Sequence, residues 1–232
     1  LATVPLVSTL LATEALVLAG TEAQQAKWLP GIASGDVIAT VAWSEPGAVN
    51  PANVKTVASG GTLTGVKQPV ADLPVAHVAI VAAAGADGPQ LYIVDLKGAE
   101  TGAVETVDLV RRHGKLTLNN TPAEALGDAG DYQDWLDRAA VILAYEAIGT
   151  ASAAMAMAVD YAKTRVAFGQ KIGRYQSVKH KCADMYIKLE LARAHALHGV
   201  AMIGTNGAEL RQAAAAARVA SLDALAFCAE EN

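Results

Sequence analysis

Cysteine is almost missing: Cys182 and Cys228 are the only two in 232 residues. Both sit in helical patterns far apart in the sequence, so no disulfide framework is expected. The pattern fits a reducing, cytoplasmic setting. Without a spaced histidine cluster beside them, a zinc site is not expected either. Aromatic residues make up only 5%, so alanine carries much of the apolar burial, which suits closely packed helices. Positive charge is scarce and unclustered: 18 Lys and Arg stand against 23 Asp and Glu, a net charge of −5. Neither end carries a basic run, which argues against a nucleic-acid partner. The P-loop, the GxGxxG turn after a strand, GxSxG and HExxH are all absent.

The opening stretch "LATVPLVSTLLATEALVLAG" has no positive n-region and contains Glu14, against a signal peptide. The chain begins at Leu1 and stops within a helical pattern, and reads as part of a longer chain. Residues 139–162 are apolar enough to suggest a membrane span, but Glu146 and Asp160 interrupt them. A buried bundle helix is the expectation, with no membrane span.

What is present falls into blocks. Residues 6–19 read as a helix ended by Gly20. A second, 21–29, is capped by Thr21 and stopped by Pro30-Gly31. From Val37 the texture turns to short Val, Ile and Thr runs punctuated by Gly, Pro, Asn and Asp: 37–45, 54–58, 62–70, 77–83, 90–96, 104–110 and 115–120. These predict antiparallel strands in a barrel or sandwich. Residues 121–131 read as a link. Helices follow at 135–161, 177–203 and 208–231. Val178, Cys182, Met185, Leu189 and Ala192 form one apolar stripe on the second of these. Helices, then strands, then helices make an α+β protein in segregated blocks.

Two segments suggest a site. "AWSEPG" (42–47) ends a strand with the Ser44 hydroxyl and a forced turn, suited to the polar edge of a flat heterocycle. An ordinary strand-to-turn transition would also account for it. "YAKTRVAFGQKIGRYQSVKHKCADM" (161–185) breaks two helices with Arg165, Phe168-Gly169 and Gln176. Arg165 offers a planar fork for phosphate. Phe168 offers a ring, and Gln176 opens a helix whose N-terminus favours anions. Together they read as half of a dinucleotide or pyrophosphate site, and a plain interhelical turn with a surface Arg is the alternative. His180, His195 and His198 share one helix and read as solvated or capping residues.

This last stretch resembles the flavin-dependent acyl-CoA dehydrogenase family, whose pattern is Tyr-Ala-x-x-Arg-x-x-Phe-Gly-x-x-Ile-x-x-x-Gln followed by Leu-Ala-Asp-Met. "KWLPGIASGDVIATVAWSEPG" (27–47), "GTLTGVK", "LYIVD", "HGKLTLNNTPAEALG" and "AELRQAAAAARVASLDALAFCAEEN" match it in order, over nearly the whole chain. The resemblance implies an N-terminal helical domain, partial here, over 1–36. A middle β-barrel over 37–128 and a truncated C-terminal four-helix bundle over 129–232 would follow. It implies FAD as cofactor and α,β-dehydrogenation of an acyl-CoA thioester, with electron-transfer flavoprotein as acceptor. Carried over by position, Trp43 and Ser44 would flank the isoalloxazine. Arg165, Phe168 and Gln176 would hold the ADP half of FAD, typically the one bound in the neighbouring subunit.

The chain departs from the family at the flavin face. The family's Gly-Ser-Asp becomes Val49-Asn50-Pro51, which puts Asn50 where a ligand-touching serine is expected. Its Trp-Val-Thr becomes Pro69-Val70-Ala71. A helix position that carries the base in some relatives is Ala139, and the neighbouring Arg is Ala140. Asp137 and Glu146 are near, but Glu146 lies two turns on, about 10 Å away, and no catalytic base is assigned. Three readings follow: a subunit lending the ADP side of a shared FAD site in a heterotetramer, a self-sufficient homotetrameric dehydrogenase, or a non-catalytic scaffold.

Overall fold

Residues 4–47, 53–108, 110–205 and 207–232 are described by the computed structural model. They fall into two units, Leu1–Trp135 and Leu136–Asn232.

In the first unit, helix α1 spans Leu6–Ala19 and α2 spans Glu22–Ser34. Leu11, Ala12, Ala15 and Leu16 bury one stripe of α1. Thr21 caps α2 in a reciprocal box: its hydroxyl accepts from the Gln24 N–H at 3.3 Å, and the Gln24 amide oxygen accepts from the Thr21 N–H at 3.0 Å. The helix does not stop at Leu29 as expected. It continues through Pro30 and ends at Gly35, which is left-handed with φ 85° and donates to the Ile32 carbonyl. Pro30 removes one ladder bond, while the buried Trp28 holds the preceding turn in place.

The strands are β1 (Ala39–Ala42), β2 (Val57–Ser59), β3 (Thr62–Ala71), β4 (Val78–Gly85), β5 (Gly88–Asp95), β6 (Glu100–Val104), β7 (His113–Pro122) and β8 (Glu124–Leu126). They form one sheet in the order β6-β7-β3-β2-β4-β5-β8, with β1 paired to β4. Among the described residues β6 and β8, the two ends of this order, do not pair with each other. The antiparallel expectation needs correction at two pairings, because β4 is parallel to both β1 and β2. Val78 to Ala83 of β4 are buried throughout, the continuous apolar pattern of a strand covered on both faces. Two strand positions also differ. The strand expected at 104–110 lies at Glu100–Val104 instead, because the Asp108 carboxylate accepts the N–H groups of Val110 and Arg111 and makes a turn there. Residues 124–126, expected as linker, pair with β5. Leu63, Val70, Leu73, Val81, Val94, Leu116 and Leu118 form the core of one face.

Helix α3 runs from Ala129 to Thr164, longer than the 135–161 expected, and most of it lies in the second unit. A two-stranded hairpin, β9 (Val166–Ala167) and β10 (Gln170–Lys171), and one 3-10 turn lead to α4 (Gln176–Ala201). Helix α5 is Gly207–Glu231. By length and composition α3 could cross a membrane. Its Ala144, Ile148 and Ala151 instead join one core with Met185, Leu189 and Ala192 of α4 and Ala217, Ala224 and Cys228 of α5. Of the stripe predicted on α4, Met185, Leu189 and Ala192 are buried while Val178 and Cys182 are half-buried, and the buried line continues through Ala196 to Gly199. At Gly199 a Cβ would stand 2.9 Å from Val141 Cγ2, so α3 and α4 approach through glycine. Both cysteines are free thiols, with Cys228 buried.

Candidate functional site

Trp43 and Ser44 leave the end of β1, both half-buried. The Trp43 ring stands edge-on to Trp135 with centroids 5.3 Å apart, and Tyr132 stacks on Trp135 at 6.2 Å. Trp135 is fully buried, and its indole N–H donates to the Leu11 carbonyl at 3.0 Å. The Ser44 carbonyl accepts from the Gln68 N–H at 2.9 Å. Its hydroxyl has no hydrogen-bond partner among the described residues. Asn50, the expected substrate contact, lies outside the described residues, as do Val49 and Pro51. Of the substituted flavin wall, Val70 is fully buried in the sheet core and presents nothing to a ligand.

Next to Ser44 is a pair that the sequence reading missed. Glu45 and Lys67 form a buried ion pair, Nζ to Oε1 at 2.7 Å, with side-chain exposures of 4% and 0%. Glu45 also accepts from the Thr56 hydroxyl at 2.7 Å, the Thr56 N–H at 2.8 Å and the Lys55 N–H at 2.7 Å. Burial by itself would raise the Glu45 carboxyl. The Lys67 ammonium and the Thr56 and Lys55 donors outweigh burial and push it down to about 2. Burial lowers Lys67, and Glu45 opposes that by holding its charge. Burial, then the Glu45 charge, raises the Tyr132 phenol. The clue was there in the alternation. On a strand, Lys67 shares a face with Leu63 two pleats away, so its ammonium points inward and needs a buried carboxylate.

The second candidate cluster lies in the other unit. Arg165 follows the last residue of α3, and the β9–β10 hairpin sets Phe168 at its tip, 97% exposed with φ 51°. A ring that open on a left-handed residue is uncommon, and Gly169 beside it, at φ 79°, completes the tight turn. The Tyr175 hydroxyl donates to the Ala167 carbonyl at 3.0 Å, and the Ile172 N–H to the Arg165 carbonyl at 2.9 Å. These bonds fix the hairpin against the start of α4. Arg165 is exposed, and no carboxylate pairs with it among the described residues. Gln176 is the first residue of α4, whose N-cap Tyr175 makes no side-chain cap. The helix therefore presents uncapped N–H groups close in sequence to an unpaired guanidinium. That donor set suits a pyrophosphate with an aromatic group beside it, and it fits the ADP half of FAD.

Around Ala139 the expected base position can be compared with its neighbours. Ala139 is fully buried and Ala140 half-buried. Asp137, 7% exposed, accepts from Arg211 Nε at 3.2 Å and is committed to that contact. Among the described residues no group of His, Cys, Asp or Glu could hold a metal ion.

The family model "Acyl-CoA dehydrogenase, N-terminal domain" matches residues 1–36, and "Acyl-CoA dehydrogenase, C-terminal domain" matches residues 132–231. The acyl-CoA dehydrogenase IpdE2 of Mycobacterium tuberculosis is 39% identical over 132 residues, 56% of this chain and 37% of that protein. The mitochondrial 2-methylacyl-CoA dehydrogenase of Solanum tuberosum is 31% identical over 213 residues, 83% of this chain and 52% of that one. Among solved structures, the Tcur3481-Tcur3483 steroid ACAD G363A variant superposes with a TM-score of 0.91 at 32% identity, covering 98% of this chain and 64% of that one. A glutaryl-coenzyme A dehydrogenase shares the fold, with a TM-score of 0.88 at 23% identity. The chain thus spans less than two thirds of each of these relatives.

Proposed function

The chain belongs to the acyl-CoA dehydrogenase family, and from that premise we propose that it works as a subunit lending the ADP side of a shared FAD site. Its cofactor is FAD. The reaction is α,β-dehydrogenation of an acyl-CoA thioester, in a heterotetramer with related subunits and with electron-transfer flavoprotein as acceptor. Its setting is the cytoplasm. The observation that carries this reading is the α3–α4 corner: Arg165, unpaired among the described residues, uncapped α4 and the solvent-facing ring of Phe168.

When bound, FAD supplies the hydride acceptor for the β-carbon. The work of this chain is to bind and to orient. The Arg165 guanidinium neutralises pyrophosphate charge, and the α4 N–H groups add the helix-end field. Phe168 covers the ligand with an apolar face, and the Gln176 amide supplies a neutral donor and acceptor. By the resemblance Trp43, whose ring meets Trp135 edge-on, and Ser44 would flank an isoalloxazine ring, a contact that the self-sufficient homotetramer would use and the lent-site subunit would not.

The lent-site form of the reading is supported by what stands at the base position. By the resemblance one of the positions that carries the base in some relatives is Ala139, and Asp137 near it is held by Arg211. A relative with high structural similarity carries two proteins in its name, Tcur3481-Tcur3483.

The test is the visible absorbance of the full-length protein, purified alone and again with its companion subunit. Colourless protein alone, with a flavin band in the complex, is the expected result. About one FAD per subunit in the protein alone would overturn the lent-site reading in favour of a self-sufficient homotetramer.

A further inference from the structure

Helix α4 is apolar on two opposite sides. Its inner stripe, Met185, Leu189, Ala192, Ala196 and Gly199, is buried. Two residues behind each member runs an outer stripe, Ile187, Leu191, Ala194, His198 and Ala201, with Ala183 a turn before them. Two residues are about 200° of helix rotation, so the outer stripe stands opposite the core. All of its members are exposed, Ile187 at 62% and Leu191 at 55%.

A helix with one side in water is polar on that side. On α4 the polar chains sit at the flanks instead and are occupied there. Lys188 pairs with Asp223 of α5 and lies over the Phe227 ring. Arg193 binds Glu190 and the Ser152 hydroxyl of α3. What faces outward between them is mainly apolar over about five turns.

The outer stripe also fits itself. Its N-terminal half is bulky, with Ile187 and Leu191, and its C-terminal half is small, with Ala194 and Ala201. Side by side in parallel, bulk would meet bulk. Antiparallel, about a two-fold axis beside Leu191, Ile187 of one copy falls against Ala194 of the other. A two-fold axis brings like flanks together. On one flank it sets Asp184 against His198 of the second copy. Neither side chain has a hydrogen-bond partner among the described residues. On the other flank it sets Tyr186 against Leu197, 55% and 64% exposed.

We propose that the outward face of α4 is an interface between two copies of this chain, closed antiparallel about a two-fold axis beside Leu191. The contact needs no flavin and stands whether or not the lent-site reading holds.

The test uses the full-length protein, with its companion subunit where the two purify as one assembly. Cys182→Ser first removes the half-buried native thiol of the same helix. Leu191→Cys, oxidised with copper phenanthroline, is expected to convert most of this chain into a covalent dimer with itself. Lys97→Cys, exposed in the other unit, gives the background of random collision. The double variant Ile187→Cys with Ala194→Cys should also link copy to copy. Either single variant should not, because identical positions off the axis stand about 11 Å apart, beyond the reach of a disulfide. In light scattering, Leu191→Glu should halve the mass of the assembly. Leu191→Cys that links no better than Lys97→Cys, or links only to the companion subunit, would overturn the proposal. So would single variants that link as readily as the double one, or a folded Leu191→Glu protein of unchanged mass. If Leu191→Glu does not fold, the cysteine variants decide by themselves, since they introduce no charge into the stripe.

Discussion

Arg165 adds nothing to the fold that holds it, since its side chain is exposed and unpaired among the described residues. Arg165→Ala should therefore leave the melting temperature unchanged and weaken FAD binding about 10- to 100-fold, the range of one lost charge-assisted bond. Equilibrium binding of FAD to the assembled protein checks both halves. Arg165→Lys should recover only part of the loss, because a point charge does not reproduce the planar fork. Glu45 is the opposite kind of residue. Glu45→Ala leaves Lys67 buried without its carboxylate and should cost about 3–5 kcal/mol in chemical denaturation. Its pH signature follows from a folded-state carboxyl lowered from 4.5 to about 2. The stabilisation is fully present above the unfolded value and is lost as pH falls from about 4.5 toward 2. Glu45→Gln should flatten that acid limb, as followed by denaturation midpoints across the window.

At the scale of elements, glycine decides which neighbours can touch. Gly65→Ala places a methyl against the backbone and side chain of Thr56 and asks alanine to hold φ 155°. It should destabilise the sheet unit by about 1–3 kcal/mol, read from thermal melts. In Gly199→Ala the new methyl is crowded by the Val141 side chain and meets Ala217 Cβ at an ordinary 3.7 Å, with no backbone in the way, so a smaller loss is expected. Helices and most strands were legible in the sequence because their signals are local: the Thr21 box, the Met185–Leu189–Ala192 stripe and the β-branched runs. The misjudged parts were set by distant partners. Helix α2 outlasts Pro30 because Trp28 is buried, and residues 124–126 become a strand only because β5 has an edge free for them. The parallel pairings of β4 belong to topology, which no window along the chain contains. In the site, Arg165, Phe168 and Gln176 could be picked out as a motif of close spacing. Glu45, Thr56 and Lys67 are spread over 22 positions and meet only on folding.

Across the whole molecule, the two clusters lie in different units. The segment carrying Trp43 and Ser44 is tied into a sheet core, and the Phe168 hairpin stands in solvent at a helix corner. Trp135→Phe should test the first of these without touching the second. It removes the indole donor to Leu11 and shrinks the ring that meets Trp43, so the first unit should lose about 1–3 kcal/mol, while ADP affinity, measured by calorimetry on the assembled protein, stays unchanged. The near-complete exposure of Phe168 also bears on ancestry. A ring 97% open to solvent is invisible to any selection for a well-folded chain. Among descendants of this protein the position is free to drift as soon as nothing docks there, long before the helices beneath it change. Retention of an aromatic at 168 across a lineage would therefore record continued use, and its scatter would date the moment a lineage stopped using the site.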